Sequence, residues 1–294
     1  MRVRVSKRLA PLIGAVTAVA VLVPLLIVSS VPGSVSATDV FGALRTPGEG
    51  AFIAGHRGDR AAAPENTMPA FELAMASEMD FVETDVQLTS DGVPVLFHDV
   101  DLKRTTNGRG RVAEHTAAQI ATLDAGSWYG SVYAGTRIPT LEEFFATLRT
   151  SHKKALVELK FGWSPDQLRG VIDAIERHDL RSRVVLQSFS IETLLNLQAV
   201  APTYPRIMLV RELSADPVPM AKRFGVIGVA TTARSVAAAP GAVNLLHEAG
   251  FGVICYTLNT QETWAEVRQL GIDGIITDTP SELDSWLAAT SSGT

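Results

Sequence analysis

Two histidines and three acidic residues stand on or just after predicted β-strands, where their side chains can meet. His56 follows the first strand, Glu83 and Asp85 lie on the second, His98 ends a short strand after it, and Glu158 lies on the next barrel strand. Three carboxylates buried together would repel one another unless a cation bound between them. Oxygen ligands without cysteine favour a hard divalent ion, so we expect one Mg²⁺ or Ca²⁺, and Mn²⁺ also fits.

Two basic side chains, Arg57 and Lys160, add positive charge beside these acids. Together with a divalent ion they would stabilise a phosphoryl group as its charge develops. Displacing an alkoxide also requires one group that deprotonates the nucleophile and one that protonates the departing oxygen, and two imidazoles can do both near neutral pH. The set predicts a metal-dependent phosphodiesterase in which His56 and His98 handle protons.

The elements that position these residues follow a repeated order from residue 51 onward, in which short apolar runs alternate with polar or Gly/Pro breaks and helical stretches. Eight barrel strands are predicted, at 51–55, 81–88, 155–160, 184–187, 206–210, 226–230, 252–257 and 274–277. Helices are predicted between most of them, for example at 67–77, 141–150, 165–178, 191–200, 261–270 and 280–289. The alternation predicts an α/β fold, a (β/α)8 barrel whose strand ends open onto the catalytic face.

A further strand-like run at 93–97 follows the second strand after a connection of only four residues. That length is too short for a parallel crossover and fits a hairpin, so we expect the run to return antiparallel. If Leu88 faces Val93, the numbers of paired residues sum to 181 and His98 lies opposite Glu83.

The hairpin leads into an irregular insertion over 100–139, and long loops in compact domains are usually functional or disordered. Thr140 ends the insertion, and an acid three residues later predicts a capping box at the next helix. Asn66 or Thr67 is expected to cap a helix rather than to bind a ligand. The sequence assigns no role to Glu65.

The N-terminal segment 1–37 combines four basic residues, a long apolar run and a small-residue site at 35–37. It predicts a signal peptide cleaved after Ala37 or, because the run approaches the roughly 20 residues that cross a bilayer, a retained signal-anchor. Either outcome predicts an exported protein, secreted or anchored on the outer face of the cytoplasmic membrane. We expect 38–50 to be a linker and 51–290 to be the barrel domain.

Charge and cysteine content narrow the functional class. Loss of 1–37 removes four positive and no negative charges, so the formal net charge moves from −5 to −9. An acidic surface argues against nucleic-acid binding, which favours a basic stripe. The single cysteine, Cys255, excludes an intrachain disulfide and is expected to be a buried strand residue. The remaining histidines are expected to pack or be solvated: His115, His152, His178 and His247. The sequence leaves the oligomeric state open.

Nine short sequence motifs, taken in their order along the chain, form a recognisable series. They are AGHRG (54–58), PENT (64–67), ETDVQ (83–87), VLFHD (95–99), RTTNGRG (104–110), IPTLEE (138–143), VELK (157–160), YTLN (256–259) and DGIITD (273–278). In this order they resemble the signature series of the glycerophosphodiester phosphodiesterase family, from about residue 51 to 287. The resemblance implies a (β/α)8 fold and hydrolysis of a small-molecule glycerophosphodiester to glycerol 3-phosphate and an alcohol.

The family's functional residues fall on matching positions of this chain. The resemblance implies a proton acceptor at His56, a proton donor at His98, metal ligands at Glu83, Asp85 and Glu158, and phosphate contacts at Arg57 and Lys160. It also implies that the glycerol 2-hydroxyl attacks first and gives a cyclic phosphate that water opens. Tyr256, a candidate substrate-binding residue, stands where the family usually has tryptophan, which puts the pocket's shape in question.

Other interpretations stay open. Similar barrels support phospholipase D-like or phospholipase C-like activity on lysolipids or phospholipids, which a membrane-anchored N-terminus would favour. A non-catalytic barrel that binds a phosphorylated ligand would be marked by loss of a histidine or carboxylate, and all are present. The acids could also form a wet strand face, or pair with Arg57 and Lys160 as a purely structural salt network.

Overall fold

Eight parallel strands close into a barrel in the computed structural model, which describes residues 35–291. With the short antiparallel strand β3, the described residues form nine strands: β1 (Phe52–Gly55), β2 (Phe81–Leu88), β3 (Pro94–Leu96), β4 (Lys154–Leu159), β5 (Val184–Ser188), β6 (Arg206–Leu209), β7 (Gly228–Thr231), β8 (Gly252–Cys255) and β9 (Gly274–Thr277). β1 pairs in parallel with both β9 and β2, which closes the barrel, and β3 lies antiparallel on β2. The predicted (β/α)8 barrel is confirmed, and every barrel strand begins and ends within two residues of its predicted limits.

Eleven α-helices lie within residues 35–291, and most of them surround the barrel strands. They are α1 (Ala37–Phe41), α2 (Met68–Ala76), α3 (Ala117–Ile120), α4 (Leu141–Thr150), α5 (Pro165–Arg177), α6 (Ile191–Val200), α7 (Val218–Phe224), α8 (Ala233–Ala238), α9 (Gly241–Glu248), α10 (Gln261–Gln269) and α11 (Pro280–Ser291). The six helices delimited from the sequence are confirmed as α2, α4, α5, α6, α10 and α11. Thr140 and Glu143 form the expected capping box at α4. Within 35–291, no helix has the length and apolar character that a bilayer crossing needs, and most of the predicted leader, 1–34, lies outside the described residues.

Alternation along the barrel strands decides which side chains enter the barrel. Ile53 of β1 packs outward against the helices, whereas its neighbour Ala54 packs inside. On β2, Phe81 packs inside and Val82 packs outside. Because side chains two residues apart share a face, the acids that follow Phe81 at odd positions point into the barrel.

The hairpin forms, but its register differs from the prediction by one residue. Leu88 pairs with Pro94, so paired numbers sum to 182 rather than 181. The turn is one residue shorter than expected, because the backbone N–H of Thr89 donates to the carbonyl of Val93 at 3.0 Å and leaves only 90–92 in the turn, while the Thr89 hydroxyl accepts from the N–H of Val93 at 2.9 Å. The prediction that His98 lies opposite Glu83 is therefore wrong, since β3 ends at Leu96 and His98 follows in a loop.

The insertion over 100–139 is ordered and has a small core of its own. Its buried side chains are Leu102, Val112, Ile120, Ala125 and Ile138. They pack together with Val95 of β3 and Phe97 of the loop after β3. Two tyrosines attach its far side to the loop after β1. The hydroxyl of Tyr133 donates to the carbonyl of Ala62 at 2.8 Å, and that of Tyr129 donates to Ala61.

The segment 38–50, expected to be a linker, instead packs against the amino-terminal end of the barrel. Phe41 of α1 is buried and stacks on Phe52, with ring centroids 5.2 Å apart. The backbone N–H of Arg45 donates to Asp273 at 2.7 Å. The physical reason is that the amino ends of the barrel strands leave an apolar opening, and the buried residues of α1 cover it.

Candidate active site

A cavity of about 850 Å³ opens at the carboxyl ends of the barrel strands. All eight catalytic, metal-binding and substrate-binding candidates from the sequence line it: His56, Arg57, Glu83, Asp85, His98, Glu158, Lys160 and Tyr256. Strand ends β1, β2, β4 and β8 and the loop after β3 supply these residues. The structure thus brings the predicted set together at one mouth.

The three acids form a compact buried cluster. Asp85 on β2 is in register with Glu158 on β4, and Glu83 lies two residues earlier on the same face of β2. One carboxylate oxygen from each lies within 4.8 Å of the others, and all three residues are buried. The cluster is therefore small enough for a single ion to contact all three side chains.

The electrostatics of the cluster fit a divalent cation. Burial, reinforced by the negative charges of Asp85 and Glu158, raises the pKa of Glu83 well above its usual range. Burial and Asp85 likewise raise the pKa of Glu158 to about 7. The pKa of Asp85 is lowered: burial acts to raise it, but the nearby charges of Lys160 and Arg57 outweigh burial. Two of the three acids are thus poorly compensated by the protein, and a bound cation would relieve their repulsion.

Lys160 and Arg57 lie against the acids rather than apart from them. The Lys160 Nζ lies 2.9 Å from both Asp85 Oδ1 and Glu158 Oε1, and the Arg57 Nε lies 3.3 Å from Asp85 Oδ2. These contacts are the salt network that the structural interpretation expected. Glu83 receives only a backbone N–H from Arg57, at 3.0 Å, and an amide N–H from Gln187, at 3.3 Å. The network alone therefore leaves Glu83 without a close cationic side chain.

Each imidazole at the mouth has its own carboxylate partner. The Nδ1 of His56 lies 2.6 Å from Asp278 Oδ1, and the Nδ1 of His98 lies 2.7 Å from Asp99 Oδ1. Because an ionised carboxylate can only accept, Nδ1 carries the proton in both rings and Nε2 of the neutral ring is free to accept one. Burial lowers the pKa of both histidines, although the carboxylates oppose the shift. The neutral, proton-accepting form therefore predominates at neutral pH.

Asn66 has a role at the site that sequence reasoning missed. Its side-chain N–H donates to Asp85 Oδ2 at 2.9 Å, and its Oδ1 accepts from the Thr84 hydroxyl at 2.9 Å. Of the two residues expected to cap a helix, Thr67 occupies the N-cap position of α2, although its side chain makes no cap hydrogen bond, and Asn66 does not cap. Asn66 instead holds an acid of the cluster in place. Its left-handed backbone, with φ of 53°, turns its side chain away from the helix end.

Aromatic and aliphatic side chains form the outer wall of the mouth. The hydroxyl of Tyr256 donates to the carbonyl of Val210 at 2.8 Å, and its ring meets Phe189 edge-on with centroids 5.9 Å apart. Val100 and Phe161 also line the cavity and are about half exposed, at 50% and 52%. The tyrosine hydroxyl is thus engaged with the backbone, and the wall offers apolar surface to a ligand.

The remaining sequence expectations concern residues away from the mouth. Cys255 is fully buried on β8, and burial raises the pKa of its thiol to about 12, as expected for an inert core residue. His178 pairs with Glu142 on the surface, and His247 lies 2.9 Å from Asp273 at the opposite end of the barrel. The Nδ1–H of His115 donates to the carbonyl of Arg111 at 2.9 Å, outside the cavity lining.

The fold and the site together define a (β/α)8-barrel phosphoric diester hydrolase. The chain belongs to the glycerophosphoryl diester phosphodiesterase family, whose sequence model matches residues 56–282. It is 34% identical over 234 residues to the glycerophosphodiester phosphodiesterase of Caldanaerobacter subterraneus subsp. tengcongensis, covering 79% of this chain and 96% of that one. It is 30% identical over 245 residues to a glycerophosphodiester phosphodiesterase of Bacillus subtilis, covering 76% and 82%.

Solved structures agree with this assignment. An Oleispira antarctica phosphodiesterase in complex with the product sn-glycerol-3-phosphate superposes with a TM-score of 0.76 at 28% identity, covering 81% of this chain and 96% of that one. A glycerophosphodiester phosphodiesterase from Agrobacterium tumefaciens gives a TM-score of 0.70 at 29% identity, covering 81% and 99%.

Proposed function

We propose that this protein hydrolyses glycerophosphodiesters to glycerol 3-phosphate and an alcohol at the mouth of its barrel. The observation that carries the proposal is the buried three-carboxylate cluster lying in one cavity with two imidazoles, each held by its own carboxylate. Family membership and the product-bound relative support the same reaction.

In the proposed reaction His56 is the proton acceptor and His98 is the proton donor. His56 takes the proton of the glycerol 2-hydroxyl, whose oxygen bonds to phosphorus while the bond from phosphorus to the alcohol oxygen breaks. His98 gives that oxygen its proton, and water then opens the cyclic phosphate with the proton transfers reversed. Burial lowers the pKa of His98. At neutral pH only a minor fraction of His98 is therefore protonated, but that form gives up its proton more readily than an ordinary imidazolium.

The acids and basic side chains hold the phosphoryl group in this proposal. Glu83, Asp85 and Glu158 would hold one divalent cation, which when bound supplies positive charge to a phosphoryl oxygen. The all-oxygen donor set suits Mg²⁺ or Ca²⁺, and Mn²⁺ also fits. Arg57 and Lys160 supply further positive charge to the diester. Tyr256 would shape the pocket wall beside the substrate.

We also propose that the reaction takes place outside the cytoplasm. The basic residues, the apolar run and the small-residue site at the start of the sequence support export, with the protein secreted or anchored on the outer face of the cytoplasmic membrane.

A lysolipid substrate is a second candidate, favoured by the apolar rim. Val100, Phe161, Phe189 and Ile191 are each at least 40% exposed, and the first three line the cavity itself. An acyl chain leaving the cavity would contact this surface. Comparing lysophosphatidylcholine with glycerophosphocholine as substrates separates the two activities, because only the deacylated diester yields free glycerol 3-phosphate.

The purified protein is to be assayed on glycerophosphocholine and other headgroups with Mg²⁺ or Ca²⁺, with and without EDTA. We expect metal-dependent release of glycerol 3-phosphate, abolished by EDTA and restored by added metal. His56→Ala and His98→Ala should each lower turnover by roughly 10²–10⁴ while the circular dichroism spectrum stays unchanged. Absence of metal-dependent release from every headgroup would overturn the proposal, and near-full activity of either variant would remove that histidine's role.

A further inference from the structure

Glu65, to which the sequence assigns no role, lies at the centre of a group of arginines beside the mouth. Its Oε1 lies 2.5 Å from Arg57 Nη1 and 2.6 Å from Arg104 Nη2, and its Oε2 lies 3.0 Å from Arg60 Nη2 and 2.9 Å from Arg104 Nη1. Its side chain is only 3% exposed. Although burial acts to raise it, the contacts with the three guanidinium groups lower the pKa of Glu65 to about 2. Glu65 is therefore an ionised, buried anion shared by three cations.

One of these arginines leads to the first imidazole. Arg60 Nη1 lies 3.4 Å from Asp278 Oδ1, the same oxygen that lies 2.6 Å from His56 Nδ1. Asp278 Oδ2 also accepts from the Asn259 side chain at 2.9 Å. The orientation of His56 is thus fixed by a carboxylate that is itself held by an arginine bound to Glu65.

A second arginine leads to the other imidazole. Arg104 Nε lies 2.5 Å from Asp99 Oδ2, and its Nη2 lies 3.0 Å from Asp99 Oδ1. That Oδ1 atom lies 2.7 Å from His98 Nδ1. Starting from Glu65, the same order of arginine, aspartate and histidine therefore occurs twice, once toward each imidazole.

We propose that Glu65 is a positioning residue that sets the orientation of both imidazoles at once. The proposal rests on the proposed function for the roles of the two histidines, but the geometry it concerns exists without substrate. The glutamate, arginine and aspartate of each branch alternate in charge, and the aspartate accepts a hydrogen bond from the Nδ1–H of the neutral imidazole, so every contact is attractive. If Glu65 loses its charge, three guanidinium groups lose their shared anion and repel one another, and the two arginines that contact the aspartates are no longer held in place.

A neutral replacement, Glu65→Gln, tests the proposal through the two ring protons. In protein labelled with ¹⁵N-histidine, the Nδ1–H of each ring is followed by NMR and assigned with His56→Asn and His98→Asn. Glu65→Gln should shift both signals together, whereas Asp278→Asn should shift only that of His56 and Asp99→Asn only that of His98. With glycerophosphocholine, kcat should fall by roughly 10- to 100-fold.

Glu142→Gln is the matched control. Glu142 is an exposed acid that also contacts an arginine and a histidine, Arg177 and His178, but far from the mouth. Its replacement should leave both ring signals and kcat unchanged. A Glu65→Gln protein that keeps both signals and kcat would overturn the proposal, as would a shift confined to one ring.

If Glu65→Gln does not fold, the branches are tested separately. Arg60→Gln should shift only the signal of His56, and Arg104→Gln only that of His98. Unchanged signals in both variants would overturn the proposal. A protein that hydrolyses no glycerophosphodiester but shows the paired shifts would contradict the proposed function while leaving the positioning role of Glu65 intact.

Discussion

Burial raises the pKa of Glu158 and thereby links cation binding at this residue to loss of a proton. It is enclosed beside Asp85, and its pKa of about 7 means that much of it holds a proton at neutral pH. A carboxylate must be ionised to bind a cation, so binding and proton release are linked. The acid is thus weakly charged until a cation arrives.

We therefore predict that Mg²⁺ or Ca²⁺ binding releases protons in a pH-dependent way. The raised pKa means that Glu158 is protonated below about pH 7 and ionised above it, so metal affinity should fall as pH drops through 7, by up to about tenfold per unit. Calorimetry in buffers of different ionisation enthalpy measures the released protons, which should be more numerous at pH 6.5 than at pH 8.5. Glu158→Gln should reduce the release, and equal release at both pH values would contradict the prediction.

The sequence was sufficient to predict which side chains point into the barrel, because position along a strand determines the face. It was insufficient to predict their hydrogen-bond partners. Glu83 and Asp85 could be placed on one face because strand side chains alternate. Asp278 closes one of the quoted sequence runs, yet nothing in its spacing shows that it contacts His56, more than 200 positions away. Asn66 was misassigned because an asparagine before a helix is usually a cap, and only the fold shows its left-handed backbone beside Asp85.

At the scale of elements, the turn between β1 and α2 brings the backbone very close to a helix. Arg57 and Gly58 both have positive φ, of 57° and 85°. A Cβ on Gly58 would lie 2.7 Å from the backbone carbon of Ala70. The close approach places Arg57 over the acids and leaves no space for a side chain at Gly58.

Replacement of this glycine should therefore cost more than backbone strain alone. Gly92, in the hairpin turn, has a similar φ of 79° but nothing within 4 Å of the added Cβ, so Gly92→Ala is a matched control. We expect Gly92→Ala to cost about 1 kcal/mol of unfolding free energy and Gly58→Ala about 1–3 kcal/mol more. Gly58→Ala should also raise KM by displacing Arg57. Urea unfolding and steady-state kinetics check this, and equal losses of stability would show that the helix yields.

The sequence could not determine the register of the hairpin between β2 and β3. Four connecting residues were visible, but Thr89 pairs with Val93 through its backbone N–H, which leaves three residues in the turn and shifts the pairing by one position. A slip of one residue reverses the face of every paired side chain. His98 still reaches the cavity because it lies beyond the end of β3, where the ladder no longer controls its direction.

At the scale of the whole molecule, the two ends of the barrel have separate roles, one in catalysis and one in stability. The carboxyl ends of the strands hold the polar cavity, and the amino ends are covered by α1. The strands were predictable because their apolar runs repeat, whereas α1 has five residues and was too short to stand out in a segment that resembled a linker. The packing of α1 could be recognised only from the folded barrel, because the apolar surface that α1 covers is formed by several strands together.

Phe41→Ala should therefore lower stability without changing catalysis. Its ring lies against Phe52 and Phe81 at the amino end of the barrel, so its removal should cost about 3–5 kcal/mol. Val132→Ala, at an 84% exposed position, should change stability by less than about 0.5 kcal/mol. Urea unfolding and kcat are the measurements. A large fall in kcat for folded Phe41→Ala would contradict the separation of the two ends.

The position of α1 would also limit when a signal peptidase could cut the chain. The bond after Ala37, where a signal peptidase would cut, lies within the first turn of that helix, and Ala37 is 1% exposed. Ser36, which would be lost, accepts the Asp39 N–H that begins the helix. A peptidase requires an extended, accessible backbone, so any cut at this bond has to precede closure of the barrel. Folding and processing would then compete for the same few residues, and a chain that folded first would keep its leader.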